Sequence, residues 1–309
     1  MSGAPIRVAL VGLGKIARDQ HLPALAADPG FRLVATVDPC GADAGVPHFA
    51  GLEALLEGGL AIDAVAVCTP PQVRYRLADA ALAAGLHVLL EKPPAATLSE
   101  VAALEARASA AGVTLFAAWH SRFAAGVEPA RAWLTGRRIL RVSISWREDV
   151  RIWHPGQDWI FRAGGLGVFD PGINALSIAT RILPGPLRLI EAELAVPENR
   201  EAPIAGRLSM RDAGDAEIAM DMDFLQTGSQ TWDIAVETDA GRLLLQKGAA
   251  VLTLPDATRH GEDREYALVY ARFAELIRSG RSDVDSEPLR LVTEALRRGT
   301  VCRAEPFIE

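Results

Sequence analysis

The sequence is poor in cysteine and carries no excess of basic residues, and each shortage excludes a class of protein. Its three cysteines are far apart and show no Cys-x-x-Cys spacing, which argues against a disulfide framework and against a zinc cluster. The formal net charge of −7 supplies no basic surface for nucleic acid or for an anionic membrane. We therefore expect no metal, no nucleic acid and no membrane as partner, and a small molecule as ligand.

Long hydrophobic runs are missing as well. No apolar segment approaches the ~18 residues that a membrane-spanning helix needs, and the early apolar run is interrupted by Gly12 and Gly14, unlike a secretory signal. We expect a cytoplasmic protein.

Hydrophobic residues make up 50% of the 309 residues, which is enough for a large core. At roughly 150 residues per domain, the length predicts two domains.

The first motif is a glycine-rich turn between a strand and a helix. Residues 6–11 form a short apolar run, the sequence GLGKIA follows at 12–17, and a helical pattern comes next. This G-x-G-x-x-A spacing is the dinucleotide fingerprint in its required context. Gly12 permits the tight turn, Gly14 lets the backbone approach a pyrophosphate, and Ala17 packs the helix on the sheet. The cofactor contacts expected in this turn are Gly12, Gly14, Lys15 and Ile16.

A carboxylate follows the second predicted strand. The run 31–37 ends at Asp38, about twenty residues beyond the glycine turn, where the fingerprint expects an acidic side chain. A carboxylate there accepts hydrogen bonds from the adenosine ribose hydroxyls and repels a 2′-phosphate, so Asp38 favours NAD, with NADP as the alternative. Asp38 also precedes Pro39, and a turn-forming aspartate is the competing interpretation.

The rest of the first third alternates between strands and helices. Apolar runs at 61–68, 86–90 and 113–118 are separated by helical patterns, which predicts an α/β domain with a doubly wound parallel sheet of the Rossmann type. Pro23 lies inside the first helical pattern, where it is expected to break or restart the helix. Ligands of such sheets bind beyond the carboxyl ends of the strands. The side chains expected at these ends are Thr69, Pro70, Glu91, Lys92 and His120.

The pattern changes after about residue 123, where alternation of period two begins to dominate. Strands are predicted at 139–146, 187–196, 206–210, 216–224, 232–237, 242–246 and 250–254. Successive strands with one apolar face predict an α+β domain with an open, largely antiparallel sheet. We expect a dinucleotide-binding domain at 1–122 and a substrate-binding domain at 123–309. Helices after Asn174, at 266–277 and at 289–297 would cover one face of the sheet, and a homodimer would cover the other.

A carboxylate and a carboxamide lie four residues apart near the middle of the chain. Within the stretch 164–174, Asp170 and Asn174 would share one helix face, which could hold a polar substrate. The competing interpretation is that Asp170 caps a helix that begins at Pro171.

The stretch 146–159 precedes that helix and contains three tryptophans. Aromatic faces beside planar polar groups suit a sugar, whose ring has apolar C–H surfaces and a rim of hydroxyls. A packed loop is the alternative, and His120 could equally be a hydrogen-bonded histidine at a strand end. No short ligand spacing supports a metal site among these residues. The candidate substrate contacts are His120, Glu148, Trp153, His154, Asp170 and Asn174.

Four short motifs carry a resemblance to a known family. They are, in chain order, GLGKIA at 12–17, Cys68-Thr69-Pro70, Glu91-Lys92-Pro93 and Arg122-Phe123. Together they resemble the glucose–fructose oxidoreductase / inositol dehydrogenase / MocA family over essentially the whole chain. The resemblance implies that Lys92 points at the substrate beside the nicotinamide, that Glu91 lies near the nicotinamide ribose, and that the loop at Thr69 and Pro70 flanks the cofactor. It also implies a cis peptide bond before Pro93.

One position departs from the family pattern. The family's helix motif is Asp, three residues, then His, whereas Asn174 follows Asp170 here. A carboxamide has no accessible proton-acceptor chemistry, so the acceptor is sought at Asp170, at Lys92 or at a water between them, while Asn174 orients the substrate. The departure resembles the aldose 1-dehydrogenase branch, which oxidises the anomeric C1 hydroxyl of a free sugar of the L-arabinose or D-galactose type to a lactone. The implied catalytic set is Lys92, Asp170 and Asn174.

Two other functions compete with this one. The chain could be another sugar or inositol dehydrogenase of the same family, or a non-enzymatic sensor that binds a dinucleotide or a sugar. Retention of Lys92 and Asp170 argues against a sensor, because a sensor needs no proton-transfer pair.

Overall fold

A computed structural model describes residues 4–41 and 44–309, and the chain divides into two units. One unit extends to His120 and adds Glu265–Ser286, and the other comprises Ser121–Arg264 and Glu287–Glu309. The chain leaves the first unit after residue 120, close to the predicted boundary at 122. Residues 265–286, which the sequence assigns to the second domain, belong to the first unit. Residues 1–3 of the predicted first domain lie outside the described residues.

Strands and helices alternate through the first unit. They are β1 (Ile6–Val11), α1 (Leu22–Ala27), β2 (Phe31–Val37), β3 (His48–Phe49), α2 (Leu52–Glu57), β4 (Ala64–Val67), α3 (Pro71–Ala83), β5 (His87–Glu91), α4 (Leu98–Ala111) and β6 (Leu115–Ala118). The strands pair in the order β3-β2-β1-β4-β5-β6 and are parallel throughout. This is the strand order of the dinucleotide-binding fold, so the predicted Rossmann-type sheet is confirmed.

The central strands of this sheet are buried on both faces. Every residue of β4 has no exposed surface, and Val8, Ala9 and Leu10 of β1 are equally buried. A parallel sheet covered by helices on both sides requires apolar residues at successive positions. That requirement explains the continuous apolar runs of the sequence and places the sheet at the centre of the unit.

The first helix changes form before Pro23. Ala17–His21 is a π-helical turn in which the Leu22 N–H donates to the Ala17 carbonyl oxygen, and α1 then carries Pro23 in its first turn. Proline has no N–H to continue an α-helical ladder, and the first turn is where a helix tolerates it. The predicted break at Pro23 is confirmed, and the side chain of His21 at the end of the π-turn has no exposed surface.

The remaining described residues add fourteen further α-helices and strands. They are α5 (Val127–Leu134), β7 (Ile139–Arg147), α6 (Val150–Trp153), α7 (Phe169–Ile182), β8 (Arg188–Pro197), β9 (Ala205–Arg211), β10 (Glu217–Asp223), β11 (Thr231–Thr238), β12 (Gly241–Gln246), β13 (Val251–Leu254), β14 (Ala257–His260), α8 (Glu265–Ser279), α9 (Glu287–Arg298) and β15 (Thr300–Ala304). All of them except α8 lie in the second unit.

The second unit is built on one mixed sheet. Its order is β14-β13-β12-β11-β7-β10-β9-β8-β15. The pairs β7/β10 and β8/β15 are parallel, and the other pairs are antiparallel. Along β7, Val142, Ile144 and Trp146 are buried while the residues between them are exposed or half-buried. The predicted open, largely antiparallel sheet is confirmed, with α5, α7 and α9 in the same unit.

Helix α8 corrects one prediction. The sequence predicts that a helix at 266–277 covers the second sheet, but α8 belongs to the first unit. Its aromatic face packs there, since Tyr270 meets Phe31 with ring centroids 5.1 Å apart and Phe273 meets Phe116 at 6.2 Å. An apolar stripe on a helix shows that the face is buried, but not which sheet buries it.

The described part of the chain contains no membrane-spanning helix. None of the helices within residues 4–41 and 44–309 is both long enough and apolar enough to cross a bilayer.

Candidate functional site

The glycine turn after β1 is shaped by two different requirements. Gly12 has a φ of +89°, and a Cβ atom placed there would lie 2.9 Å from the backbone nitrogen of Thr69, so both its conformation and its neighbour require glycine. Around Gly14, in contrast, an added Cβ would meet none of the described residues within 4 Å. The protein's own packing therefore does not explain Gly14, whereas close approach of a pyrophosphate does.

Asp38 is tied to the glycine turn by its side chain. One carboxylate oxygen accepts a hydrogen bond from the Leu13 N–H at 2.8 Å, and the other accepts from the Cys40 N–H at 2.8 Å. The turn-forming interpretation is thus correct, and the same bonds fix the carboxylate beside the fingerprint. An ionised carboxylate offers about four acceptor positions, so Asp38 retains acceptor capacity for ribose hydroxyls.

The loop after β4 contains an unsatisfied polar atom. The hydroxyl oxygen of Thr69 is buried and has no hydrogen-bond partner among the described residues. A buried hydroxyl without a partner costs free energy unless a ligand or water satisfies it. Together with the open space at Gly14 and the acceptors of Asp38, this hydroxyl indicates that the carboxyl edge of the first sheet fits a dinucleotide.

A buried arginine that the sequence did not single out joins this loop to the next one. Arg74 of α3 is 3% exposed. Its guanidinium donates to the carbonyl oxygen of Glu91 at 2.5 Å and to the carbonyl oxygens of Thr69 and Pro93. One planar group with five donors can hold several carbonyls at once. Arg74 therefore positions both loops, and the peptide bond between Lys92 and Pro93 is cis, as the resemblance implies.

Glu91 faces the interior. Its carboxylate is 2% exposed and accepts hydrogen bonds from the Tyr266 hydroxyl at 2.6 Å, from His21 Nε2 at 2.9 Å and from the Lys92 N–H at 2.9 Å. Burial opposes ionisation, but the hydrogen bond and charge of His21 outweigh it and hold the pKa of Glu91 well below its usual range. The resemblance predicts a cofactor contact for Glu91, whereas the observed bonds give its carboxylate the task of holding the Lys92 backbone.

His21 completes this interior group on the other side. Its Nδ1 lies 2.8 Å from the Tyr270 hydroxyl. Burial opposes a charge on the imidazole, but Cys68, Tyr270 and the Glu91 carboxylate together raise the pKa of His21 well above its usual value. Burial also raises the pKa of Tyr270 to about 12, so that hydroxyl stays protonated. We call His21, Glu91, Tyr266 and Tyr270 the interior cluster.

His120 has a partner of its own. Its Nδ1 lies 2.6 Å from a carboxylate oxygen of Glu265, and its ring stacks on Tyr266 with centroids 5.4 Å apart. The interpretation of His120 as a hydrogen-bonded histidine at a strand end is therefore correct for one of its nitrogens. A substrate contact through the other nitrogen stays a prediction.

In the second unit, the predicted substrate residues assemble around one histidine. His154 Nε2 lies 3.0 Å from Glu148 Oε1, and His154 Nδ1 lies 3.8 Å from Asp170 Oδ2. Glu148 is 2% exposed, and its second oxygen accepts a hydrogen bond from the Trp232 indole at 2.8 Å. Trp153 lies against Trp232 with ring centroids 4.8 Å apart. We call Glu148, His154 and Asp170 the carboxylate–histidine chain.

Helix α7 shows which interpretation of Asp170 holds. The helix begins at Phe169, its N-cap is Val168, and no side chain caps it. Asp170 is instead the second helical residue, 5% exposed, so the capping interpretation is wrong. Asn174 follows one turn later on the same face and is half-buried.

The same helix is fixed from another part of its unit. Arg122 donates from Nε to the Ser177 carbonyl oxygen at 3.0 Å and from Nη2 to the Thr180 hydroxyl at 3.0 Å. The arginine of the Arg122-Phe123 motif therefore holds α7, which carries Asp170. Lys92 and Asp170 belong to different units, so their pairing stays a prediction. Within the described ranges there is no group of three or more His, Cys, Asp or Glu residues placed to hold a metal ion.

Comparison with known proteins shows which sequences and structures this chain is similar to. Residues 6–119 match the model of an oxidoreductase family with an NAD-binding Rossmann fold. Over 312 aligned positions the chain is 46% identical to a galactose 1-dehydrogenase from Pseudomonas fluorescens, with 99% of each chain covered. The crystal structure of a D-galactose-1-dehydrogenase from Rhizobium etli aligns with a TM-score of 0.95 and 52% identity, covering 100% of this chain and 99% of that one.

A more distant structure shows how widely the fold is used. The WlbA dehydrogenase from Bordetella pertussis, solved with NADH and UDP-GlcNAcA, aligns with a TM-score of 0.83 at 21% identity and covers 96% of each chain. At this identity the likeness establishes the fold alone.

Proposed function

The chain belongs to the NAD-binding oxidoreductase family of glucose–fructose oxidoreductase, inositol dehydrogenase and MocA, and from this premise we propose that it is an NAD(P)-dependent aldose 1-dehydrogenase. Its substrate is a free sugar of the D-galactose or L-arabinose type, oxidised at the C1 hydroxyl to the lactone. The observation that carries the proposal is the grouping of Glu148, His154 and Asp170 with Trp153 and Trp232, because such a set suits a sugar ring. Full-length similarity to galactose 1-dehydrogenases supports it.

The cofactor is bound by the first unit. When bound, its nicotinamide accepts the hydride that leaves C1 of the sugar. Asp38 favours NAD, because its carboxylate is held at the glycine turn and would repel a 2′-phosphate. The residues that would hold the cofactor are Gly12, Gly14, Lys15, Ile16, Asp38, Thr69, Pro70 and Lys92.

The cofactor preference is tested by two variants at Asp38. Asp38→Ser removes the carboxylate, and Asp38→Asn keeps its shape while removing its charge. If charge repulsion sets the preference, both variants lower the ratio of kcat/KM for NAD over NADP, by at least about tenfold for Asp38→Ser. An unchanged ratio in both variants would show that the carboxylate is not at the ribose.

Asp170 and Lys92 share the proton chemistry. Asp170 takes the C1 hydroxyl proton, Lys92 donates a hydrogen bond to the same oxygen as negative charge develops there, and Asn174 orients the neighbouring hydroxyls. In the alternative assignment a neutral Lys92 is the base and Asp170 orients it. The Lys92 N–H donates to the Glu91 carboxylate, and Arg74 donates to the carbonyl oxygen of the next residue, Pro93. These two hydrogen bonds hold the backbone at Lys92 in a fixed position.

The activity is tested by following NADH absorbance with NAD and a panel of free aldoses and myo-inositol. We expect turnover of D-galactose and L-arabinose and little of D-glucose or myo-inositol. Asp170→Ala should lose turnover while NAD binding, measured by calorimetry, is kept. Lys92→Ala should lose turnover while NAD binding is weakened but still measurable, because the other cofactor contacts remain. Turnover of myo-inositol alone would favour the inositol dehydrogenase alternative, and NAD binding without turnover of any panel member would favour the sensor.

We further propose that the protein acts in the cytoplasm as a homodimer through the open face of the second sheet. On that face small residues, such as Ser143 and Ala219 at paired positions of β7 and β10, lie between charged ones. Next to them Arg147 and Arg207 both form ion pairs with Asp221. A flat face with small residues at its centre lets a second copy approach closely, and rows of opposite charge let the same face bind itself.

Light scattering after size-exclusion chromatography tests the dimer. The wild-type protein should have twice the monomer mass at micromolar concentration, and Ala219→Arg should give the monomer. Ala102→Arg on the exposed side of α4, which belongs to the first unit and not to this sheet, is the matched control and should stay dimeric. A monomeric wild-type protein would contradict the proposal.

A further inference from the structure

The carboxylate–histidine chain has an internal order that fixes where protons can lie. An ionised carboxylate only accepts hydrogen bonds, and an indole N–H only donates. Glu148 therefore accepts from Trp232 at one oxygen and from His154 Nε2 at the other, which requires the hydrogen of a neutral His154 to be on Nε2. The remaining nitrogen, Nδ1, then carries a lone pair, and it is this nitrogen that faces Asp170.

The imidazole of His154 has a buried partner on one side and is itself partly exposed to solvent. Glu148 is 2% exposed, whereas the side chain of His154 is 16% exposed. Phe224 packs beside the imidazole, with ring centroids 5.6 Å apart. A proton that reaches Nδ1 would thus have a buried carboxylate opposite it and water within reach of the ring.

From this geometry we propose that His154 relays the proton from Asp170 to solvent during sugar oxidation, and that Glu148 is the positioning residue that sets its tautomer. The inference rests on the proposed function and deepens it, since it adds a second step to the proton transfer. Asn174, which shares the helix face with Asp170, is a carboxamide and cannot carry the proton. The imidazole for this step comes instead from the end of α6.

The C1 O–H bond breaks, its electron pair forms the lactone C=O bond, and an O–H bond forms on Asp170, as the hydride leaves C1 for the oxidised nicotinamide of the proposed function. The Asp170 O–H bond then breaks, an N–H bond forms on His154 Nδ1, and the imidazolium is stabilised by the Glu148 carboxylate. Water finally takes the proton from the ring, which restores the starting state. The Nδ1 to Oδ2 distance of 3.8 Å exceeds a hydrogen bond, and catalytic contacts of this kind commonly shorten when substrate is bound.

Kinetics of His154→Ala test the relay. We expect kcat for D-galactose to fall by about a hundredfold, and added imidazole to restore a large part of it. His260→Ala, on exposed β14, is the matched control and should neither lose activity nor respond to imidazole. A raised KM with unchanged kcat, or a lowered kcat that imidazole does not restore, would overturn the relay and leave His154 as a substrate contact or a structural residue.

Glu148→Gln separates the positioning role from packing. The amide keeps the volume and can still bond to both neighbours. Because the Trp232 indole only donates, the amide oxygen must face Trp232 and the amide NH2 must donate to His154 Nε2, which requires the opposite, Nδ1–H tautomer of neutral His154. We expect kcat to fall by about tenfold and the solvent deuterium isotope effect on kcat to rise, as the second transfer becomes slower. Wild-type values for both quantities would overturn the role of Glu148.

A measurement without turnover keeps the two proposals apart. The chain has six histidines, so selective ¹⁵N labelling of histidine gives a spectrum with few signals. The signals that disappear in His154→Ala are those of His154. We expect the Nε2–H tautomer for neutral His154 in the wild-type protein and the Nδ1–H tautomer in Glu148→Gln. An Nδ1–H tautomer in the wild type would overturn the relay even if aldoses are oxidised. Absence of aldose turnover with the expected tautomers would instead overturn the proposed function, and the relay with it.

Discussion

Each unit contains a buried glutamate paired with a histidine, and the two pairs are almost identical when viewed alone. Glu91 and His21 lie 2.9 Å apart, and Glu148 and His154 lie 3.0 Å apart. Both carboxylates are 2% exposed. In both pairs Nε2 of the imidazole is the atom that meets the carboxylate, so geometry within the pair gives no reason for different roles.

The difference lies at the second nitrogen of each ring. His21 Nδ1 is bonded to the Tyr270 hydroxyl, and the ring has no exposed surface. His154 Nδ1 faces the carboxylate of Asp170, and its side chain is 16% exposed. A sealed ring has no route by which to exchange a proton, so it serves to hold the fold, whereas an open ring beside a second carboxylate can take part in chemistry.

The largest expected effect comes from breaking the sealed pair, Glu91 and His21, whose histidine has no exposed surface. His21→Ala leaves the buried Glu91 carboxylate short of one donor, and we expect the free energy of unfolding to fall by about 3–5 kcal/mol. His154→Ala should lower it by about 2 kcal/mol or less, because water can reach the open pair. Urea denaturation followed by circular dichroism measures both. Equal losses in the two variants would contradict the distinction between sealed and open pairs.

The pH dependence of stability gives the next largest effect. The pKa of Glu91 is lowered in the folded protein, so its contribution is present above the ordinary value of 4.5 and is lost as pH falls through the lowered pKa. The pKa of His21 is raised, so its contribution is complete below the ordinary value of 6.5 and is lost as pH rises through the raised pKa.

The pair should therefore stabilise the fold most between pH 4.5 and pH 6.5. We expect the difference in unfolding free energy between the wild-type protein and His21→Gln to be larger at pH 6 than at pH 9. Urea titrations at both pH values check this. A difference that grows towards pH 9 would mean that His21 is neutral in the folded protein.

A smaller effect is expected from Tyr270→Phe. The change removes the hydroxyl from the second nitrogen of His21 and leaves that nitrogen buried without its partner, which should cost about 1–3 kcal/mol of unfolding free energy. The kcat for D-galactose should stay within about twofold of the wild-type value, because the sealed pair does not carry the reaction's proton. A hundredfold loss of kcat in a folded Tyr270→Phe protein would place the sealed pair in the chemistry.

The smallest effect is expected from Trp232→Phe. The ring keeps most of its contact with Trp153, but the hydrogen bond to Glu148 is lost. Because the bond of Glu148 to His154 remains, we expect kcat to fall by only about threefold and stability by about 1 kcal/mol. Steady-state kinetics and urea denaturation test this. A fall as large as that of Glu148→Gln would show that Trp232, and not His154, is the important partner of Glu148.

Much of the first unit could be predicted because its signals are local. The glycine turn between β1 and α1, Asp38 after β2 and Lys92 after β5 each follow a strand end in the sequence, and parallel strands bring their carboxyl ends to one edge. The interior cluster could not be predicted, since Glu91 and His21 are 70 positions apart and Glu91 and Tyr266 are 175 apart. Contacts over such separations leave no periodic pattern in the sequence.

The second unit was harder for a different reason. The short strands β14 and β15 consist largely of exposed residues, so they lack the alternation by which strands are recognised. The partners of Asp170 also come from separate elements. Sequence spacing placed Asp170 on a helix with Asn174, but only the fold brings His154 to it and a tryptophan of β11 to Glu148.

The path of the chain between the two units has a consequence for biosynthesis. The chain leaves the first unit after His120 and returns to it at Glu265, so the hydroxyls of Tyr266 and Tyr270 emerge from the ribosome long after Glu91. Although domains of a nascent chain generally fold from the N-terminus onward, the hydrogen bonds of Glu91 and His21 to these two hydroxyls can form only after most of the second unit has been synthesised. A nascent chain halted at residue 264 would thus carry an unfinished Rossmann unit that is a natural substrate for chaperones.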